Sequence, residues 1–170
     1  FSFVRKELLE KYGDVRGAFL LFQADIMLRN MKKAELDGNL STETHAYLSR
    51  YTLPPVALFL SMKENGIELD EIENFLSILF ERVFVKQSRR IRTACTLRKF
   101  SHRWPPLISA FLVHCTPKGE TEILSEDSSS AVVQVSGCIN AKIVHKYGCP
   151  EVLLLFCRYH EHLSRIFPRE

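Results

Sequence analysis

The sequence lacks an apolar run long enough to cross a membrane. Its longest unbroken apolar run extends only from Val152 to Cys157, whereas a membrane-spanning helix needs about 20 apolar residues. The first residues, Phe-Ser-Phe-Val-Arg-Lys, also lack the apolar core of a signal peptide. The sequence therefore predicts a cytoplasmic protein without a membrane partner.

Glycine-rich loops and tight cysteine pairs are also missing. None of the 7 glycines belongs to a phosphate-binding motif, which disfavours nucleotide hydrolysis and dinucleotide binding. The cysteine count is odd and includes no Cys-x-x-Cys pair, which in a chain without a secretion signal predicts free thiols in a reducing compartment. The 5 cysteines are Cys95, Cys115, Cys138, Cys149 and Cys157.

Neither sign of charge is in large excess, since the sequence has 23 Lys and Arg and 20 Asp and Glu, which gives a net charge of +3. The basic side chains cluster in the stretch 86–103, where Phe100 and Trp104 are the nearby aromatics. A charge cluster without a recognised binding motif is more typical of a solvated helix face than of a nucleic-acid site. We therefore expect a small-molecule partner rather than nucleic acid, and the oligomeric state stays open.

Apolar residues at helical spacing dominate the first 104 residues. Val15, Phe19, Phe22 and Ile26 follow one another at intervals of four, three and four, which predicts one buried helical face. The clearest pattern predicts a helix at the centre of the core. It is formed by Ile72, Phe75, Leu76, Leu79, Phe80, Val83 and Phe84.

The spacing of the apolar residues changes from a helical to a strand pattern after Trp104-Pro105-Pro106. Strands are predicted over 107–115, 121–126 and 131–136, because turn-forming residues separate them. Helical spacing returns over 139–147 and 150–167. The prediction is a single α+β domain over 1–170, with N-terminal helices packed on a small antiparallel sheet and two C-terminal helices. Residues 1–104 are expected to be mainly helical, 105–137 to be antiparallel strands, and 138–170 to be helices bearing the candidate site.

Three residues near the C-terminus could carry chemistry. Cys138 lies where a strand is predicted to end and a helix to begin, and unpaired N–H groups at a helix N-terminus favour the nucleophilic thiolate. Cys157 and His160 are three residues apart on one predicted helix, so they share a face. His160 is a candidate acid or base, and His145 is a further candidate in the helix that Cys138 opens.

Two other interpretations of these residues remain open. Buried thiols usually behave as small hydrophobic groups, and a histidine on an apolar stripe is commonly a core residue. Cys138, Cys157 and His160 are also ligand types that zinc accepts. Their spacing is not a recognised zinc signature, so we expect neither a metal nor a cofactor.

The segment 135–160 resembles the C-terminal signature of the L-2-amino-thiazoline-4-carboxylic acid hydrolase family. It has a strand, a Cys that opens a helix, a Gly-x-Pro-Glu turn at 148–151, and a helix with Phe-Cys followed three residues later by His160. The two cysteines stand nineteen residues apart, as in the family pattern. The apolar stretch 51–66 also resembles a helix of the family, but less closely. His160 stands where the family usually has Asp, and family members continue past the last helix into a further strand with another Cys, whereas this sequence ends at Glu170.

The resemblance implies hydrolysis of a cyclic amidine to a carbamoyl amino acid, with Cys138, Cys157 and His160 as catalytic residues. A basic side chain would hold the substrate carboxylate, and Arg158 and Arg103 are the candidates. One alternative is a non-enzymatic small-molecule binding domain whose cysteines belong to the core. Another is a regulatory or interaction domain that uses the basic stretch 86–103.

Overall fold

The structure, a computed structural model of the chain, describes residues 2–36, 40–95, 121–126 and 131–164. The N-terminal part consists of helices: α1 (Ser2–Tyr12), α2 (Asp14–Leu36), α3 (Thr42–Tyr47), a π-helix (Leu48–Thr52), α4 (Leu53–Glu64) and α5 (Leu69–Cys95). Two strands follow, β1 (Thr121–Glu126) and β2 (Ala131–Val135), and then α6 (Ile139–Lys146) and α7 (Val152–Ser164).

The core lies between helices. Helix α2 packs on α1 and α4, and α5 packs on α4 and α7. Phe59 on α4 is completely buried, and the predicted central helix α5 contributes Ile72, Phe75, Leu76 and Leu79. Further along the predicted pattern of α5, Val83 is exposed. The expected centre of the core is thus confirmed for the first half of α5.

The predicted buried face of α2 is wrong. Val15, Phe19, Phe22 and Ile26 are 87%, 54%, 64% and 43% exposed. The face that packs consists instead of Gly17, Leu20, Ala24, Leu28 and Met31. Two apolar faces compete on this helix, and the face with small residues is buried because Gly17 and Ala24 allow close approach to neighbouring helices.

Gly17 marks the closest approach. A Cβ atom built at this position would lie 2.6 Å from the backbone oxygen of Leu8 on α1, so no larger residue fits without movement. Ser61 on α4 donates a 2.8 Å hydrogen bond to the backbone oxygen of Leu20 on the same side of α2. These two contacts fix which face of α2 points inward.

The predicted α+β fold is also wrong, because the described chain is mostly helical. Strands β1 and β2 pair antiparallel as a two-stranded hairpin, with an irregularity between Ile123 and Ser125. Ile123, Leu124 and Val132 are 41%, 54% and 51% exposed. The hairpin is therefore not covered at these three side chains, and the described helices pack on one another. The predicted strand 107–115 lies outside the described residues.

A π-helix interrupts the helical segment between α3 and α4. The backbone N–H of Leu53 bonds to the carbonyl of Leu48, five residues earlier. Pro54 and Pro55 follow at the start of α4. Proline donates no backbone hydrogen bond and its ring clashes with the carbonyl four residues before it, so a wider turn relieves the crowding at this junction.

Among the described residues, no helix combines the length and the apolar character needed to cross a membrane.

Candidate functional site

The candidate site is built around the first turn of α6. Cys138 is the N-cap residue of this helix, with extended backbone angles of φ −76° and ψ 114°. Its side chain makes no capping hydrogen bond, and the thiol is exposed. The backbone oxygen of Cys138 accepts the first helical bond from Lys142 N at 3.1 Å. The thiol thus stands at a helix N-terminus, as the sequence predicts, where N–H groups favour an anion.

A buried polar network holds this first turn in place. Asn140 is only 2% exposed, and its Oδ1 accepts a 2.6 Å hydrogen bond from the hydroxyl of Thr52. Its Nδ2 donates to the hydroxyl of Tyr47 at 3.2 Å. Thr52 is itself completely buried. Because Tyr47 precedes the π-helix and Thr52 ends it, the network joins α6 to both sides of that irregular turn.

A second polar contact holds the other end of α6. The carboxylate of Glu35 on α2 is 5% exposed and accepts hydrogen bonds from Lys146 Nζ at 2.7 Å and the Tyr147 hydroxyl at 2.8 Å. Burial, followed by the hydrogen bond and the charge of Glu35, raises the pKa of Tyr147 above its usual range. The tyrosine therefore stays a neutral donor, and both ends of α6 are tied to the N-terminal helices.

The turn after α6 is closed by Gly148. Its φ of +67° is left-handed, and its N–H bonds to His145 O while Cys149 N bonds to Val144 O. This is the helix-ending pattern in which glycine is favoured. Cys149 Sγ also donates to Val144 O at 3.5 Å. The Gly-Cys-Pro-Glu stretch of the sequence signature therefore reverses the chain between α6 and α7.

The three cysteines whose side chains the structure describes differ in their surroundings. Cys149 is completely buried, and burial with the nearby Glu151 raises the pKa of its thiol to about 11, against a smaller opposing effect of Lys63. It is therefore an unreactive core thiol. Cys138 and Cys157 are exposed and free, so the interpretation of these two as core residues does not fit.

The other predicted site residues are only partly placed. Cys157 and Arg158 lie side by side on α7, and both are exposed. His160 belongs to helix α7, but its side chain is not among those that the structure describes. Arg103 and the end of the basic stretch, 96–103, are outside the described residues. Within the described part of the chain, no hydrogen bond or disulfide joins Cys138 to Cys157.

Sequence reasoning missed the residues that position the site. Asn140, Thr52, Tyr47 and Glu35 are far apart in the chain, and nothing in their local spacing marks them as partners. One signal was available: a polar residue two positions after a candidate N-cap cysteine, on an otherwise apolar helix face, needs a buried partner.

A metal centre has no support in the described part of the chain, where no group of three His, Cys, Asp or Glu residues could hold an ion.

No family model matches the chain, and no curated protein and no solved structure matches it. The resemblance to the thiazoline-carboxylate hydrolases therefore depends on the sequence alone, on the segment 135–160 and more faintly on 51–66.

Proposed function

We propose that the chain is a hydrolase-like protein that opens a cyclic amidine, such as an aminothiazoline carboxylate, to a carbamoyl amino acid, with Cys138 as the nucleophile. The observation that carries the proposal is the exposed Cys138 thiol at the N-cap of α6. The helix is tied down at both ends by Asn140 and by Glu35. A reactive group gains from such a fixed support, because its position is set before substrate binds.

The chemistry follows from this position. The thiolate adds to the amidine carbon, and the carbon–sulfur bond of the ring then breaks. The ring sulfur leaves as a thiol after taking up a proton from His160 or solvent, and the opened substrate stays attached to Cys138 as an isothiourea. Attack by water releases the carbamoyl product and regenerates the thiolate. The N–H groups of the first turn of α6 have no partner within the helix, so they are available to stabilise the negative charge on sulfur before and after the reaction.

The supporting roles belong to the same proposal. Cys157 and His160 lie on α7 as assisting groups, with His160 as acid or base. Arg158, which is exposed on α7, would bind the substrate carboxylate, and Arg103 is the second candidate for that contact. A reducing cytoplasm suits a mechanism that needs a free thiol.

The first test compares thiol reactivity at neutral pH, with the modified residue identified by mass spectrometry. Cys157 is the matched control, since it is also exposed but lies inside α7, where backbone N–H groups are already bonded. We expect Cys138 to react at least about tenfold faster than Cys157. Equal rates would remove the basis for a nucleophile at position 138.

The second test is turnover of an aminothiazoline carboxylate. Cys138→Ser should abolish ring opening while the helical circular dichroism spectrum is unchanged, because the exposed side chain makes no structural hydrogen bond. Retained turnover in this variant contradicts the proposal. A fast Cys138 without turnover of any cyclic amidine would instead favour a binding domain with a reactive thiol.

A further inference from the structure

We propose that the exposed apolar face of α2 is the interface of a homodimer in which two copies of α2 pack antiparallel. The face consists of Val15, Phe19, Phe22 and Ile26, and we call it the α2 stripe. Its side chains are 87%, 54%, 64% and 43% exposed. The proposal is independent of the hydrolase activity, since none of these residues belongs to the candidate site.

The α2 stripe is continuous. Intervals of four, three and four residues place all four side chains on one side of the helix, over a length of about 16 Å. The opposite side of α2 is already used, because Leu20, Ala24 and Leu28 are buried against other helices. Two apolar sides on one helix predict two packing partners, and the described part of the chain supplies one of them.

The spacing of the stripe is self-complementary. If a two-fold axis passes midway between Leu20 and Leu21, Phe19 faces Phe22 of the second copy, and Val15 faces Ile26 of the second copy. The same intervals are those of a left-handed antiparallel helix pair, in which alternating apolar layers interlock. A symmetric dimer needs this property, because the same patch must fit itself.

Charge favours the antiparallel arrangement. Arg29, which forms an ion pair with Asp25, and Lys33 continue the stripe beyond Ile26, whereas the other end of α2 carries Asp14 and Arg16. A parallel pair would place Arg29 against Arg29 and Lys33 against Lys33. An antiparallel pair separates these like charges.

The exposed apolar area of the α2 stripe predicts a small interface. With whole side chains of about 150–250 Å², the stripe exposes roughly 450 Å², which is within the range of patches that serve as interaction sites. Two copies would bury roughly 900 Å² of apolar surface, which is below the roughly 1,200 Å² of stable specific interfaces. We therefore expect a weak dimer whose population rises with protein concentration.

Sedimentation equilibrium of the full chain over about 1–300 μM tests the proposal. The mass should rise from 19.7 kDa toward twice that value. Phe22→Glu should weaken the dimer at least about 100-fold. Leu154→Glu, at a 63% exposed position on α7, is the matched control and should leave the mass unchanged. A monomeric wild type, or a dimer that Phe22→Glu does not weaken, overturns the proposal and leaves the stripe to a different partner.

A charge exchange tests the orientation. Phe19→Glu and Phe22→Lys should each give a monomer. A mixture of the two single variants should recover association as a heterodimer, because the introduced carboxylate at position 19 of one copy then faces the introduced ammonium at position 22 of the other, and one contact between Phe19 and Phe22 is kept. A parallel pair would place each introduced charge against a phenylalanine, so a mixture that stays monomeric overturns the antiparallel arrangement. Circular dichroism of each variant confirms that these surface changes leave the helices folded.

Discussion

At the scale of single residues, Asn140 connects the fold to the candidate chemistry. It lies two positions after Cys138 and is nearly completely buried, yet both ends of its amide are hydrogen bonded, to Thr52 and to Tyr47. A buried amide with all its hydrogen bonds made costs little folding free energy. When such an amide is removed, its partners are left buried without a hydrogen bond, and this destabilises the fold. Asn140 therefore acts as a positioning residue for the turn that carries the thiol.

Asn140→Leu should lower the free energy of unfolding by about 2–3 kcal/mol, because the Thr52 and Tyr47 hydroxyls lose their buried partner. It should also slow modification of the exposed Cys138, since the first turn of α6 loses its fixed position. Urea unfolding and site-resolved thiol labelling measure the two effects.

Thr52→Val serves as the control for this pair, since it has nearly the same shape and removes only the hydroxyl. The double variant Thr52→Val with Asn140→Leu should lose less stability than the two single changes combined. Additive losses would show that the 2.6 Å hydrogen bond between these side chains does not stabilise the fold.

At the scale of elements, α2 shows how one small residue selects the buried face of a helix. Its outward stripe contains two phenylalanines, and its inward face contains Gly17 and Ala24. Burial of the larger apolar residues alone would favour the opposite choice. Close packing against α1 at Gly17 and the hydrogen bond from Ser61 to Leu20 O decide the orientation instead.

Gly17→Ala should destabilise the protein by about 1–3 kcal/mol, because the new Cβ would lie 2.6 Å from Leu8 O. Helix propensity alone predicts the reverse, since Ala stabilises a helix interior by about 1 kcal/mol relative to Gly. Ala18→Gly is the matched control at the next, exposed position and should destabilise by that amount. Thermal or urea unfolding checks both, and a stabilised Gly17→Ala variant would contradict the described contact between α1 and α2.

At the scale of the whole molecule, the helices and the hairpin contribute unequally. The buried apolar residues belong to the helices and the segments joining them, while Ile123, Leu124 and Val132 on the hairpin are exposed. A two-stranded hairpin is at best marginally stable by itself. The helices therefore supply most of the stability of the described structure, which is why the α+β prediction fails.

Substitutions in the hairpin and in the helices should change the free energy of unfolding by very different amounts. Ile123→Thr and Val132→Thr should each change the free energy of unfolding by less than about 0.5 kcal/mol, because both side chains are already in water. Phe59→Ala, at a completely buried position on α4, should cost about 3–5 kcal/mol. Urea unfolding of the three variants decides the point. A large loss at Ile123 would show that the hairpin belongs to a packed sheet.

The sequence by itself determined the local elements. The spacing of apolar residues located α2, the first half of α5, α6 and α7, and the sequence signature included the turn at Gly148 between α6 and α7. They also placed Cys138 at a helix N-cap. These features depend on neighbours in the chain, whose spacing, capping and turn chemistry are visible in sequence.

Only the tertiary structure decided which of two apolar faces of α2 is buried, and that Ile123, Leu124 and Val132 of the hairpin are exposed. It also brought Asn140 to Thr52, and Glu35 to Lys146. The physical reason is that burial is a competition among all the surfaces of the chain. A close approach at Gly17 or a buried amide pair changes the outcome of that competition, and neither partner is identifiable from the residues next to it.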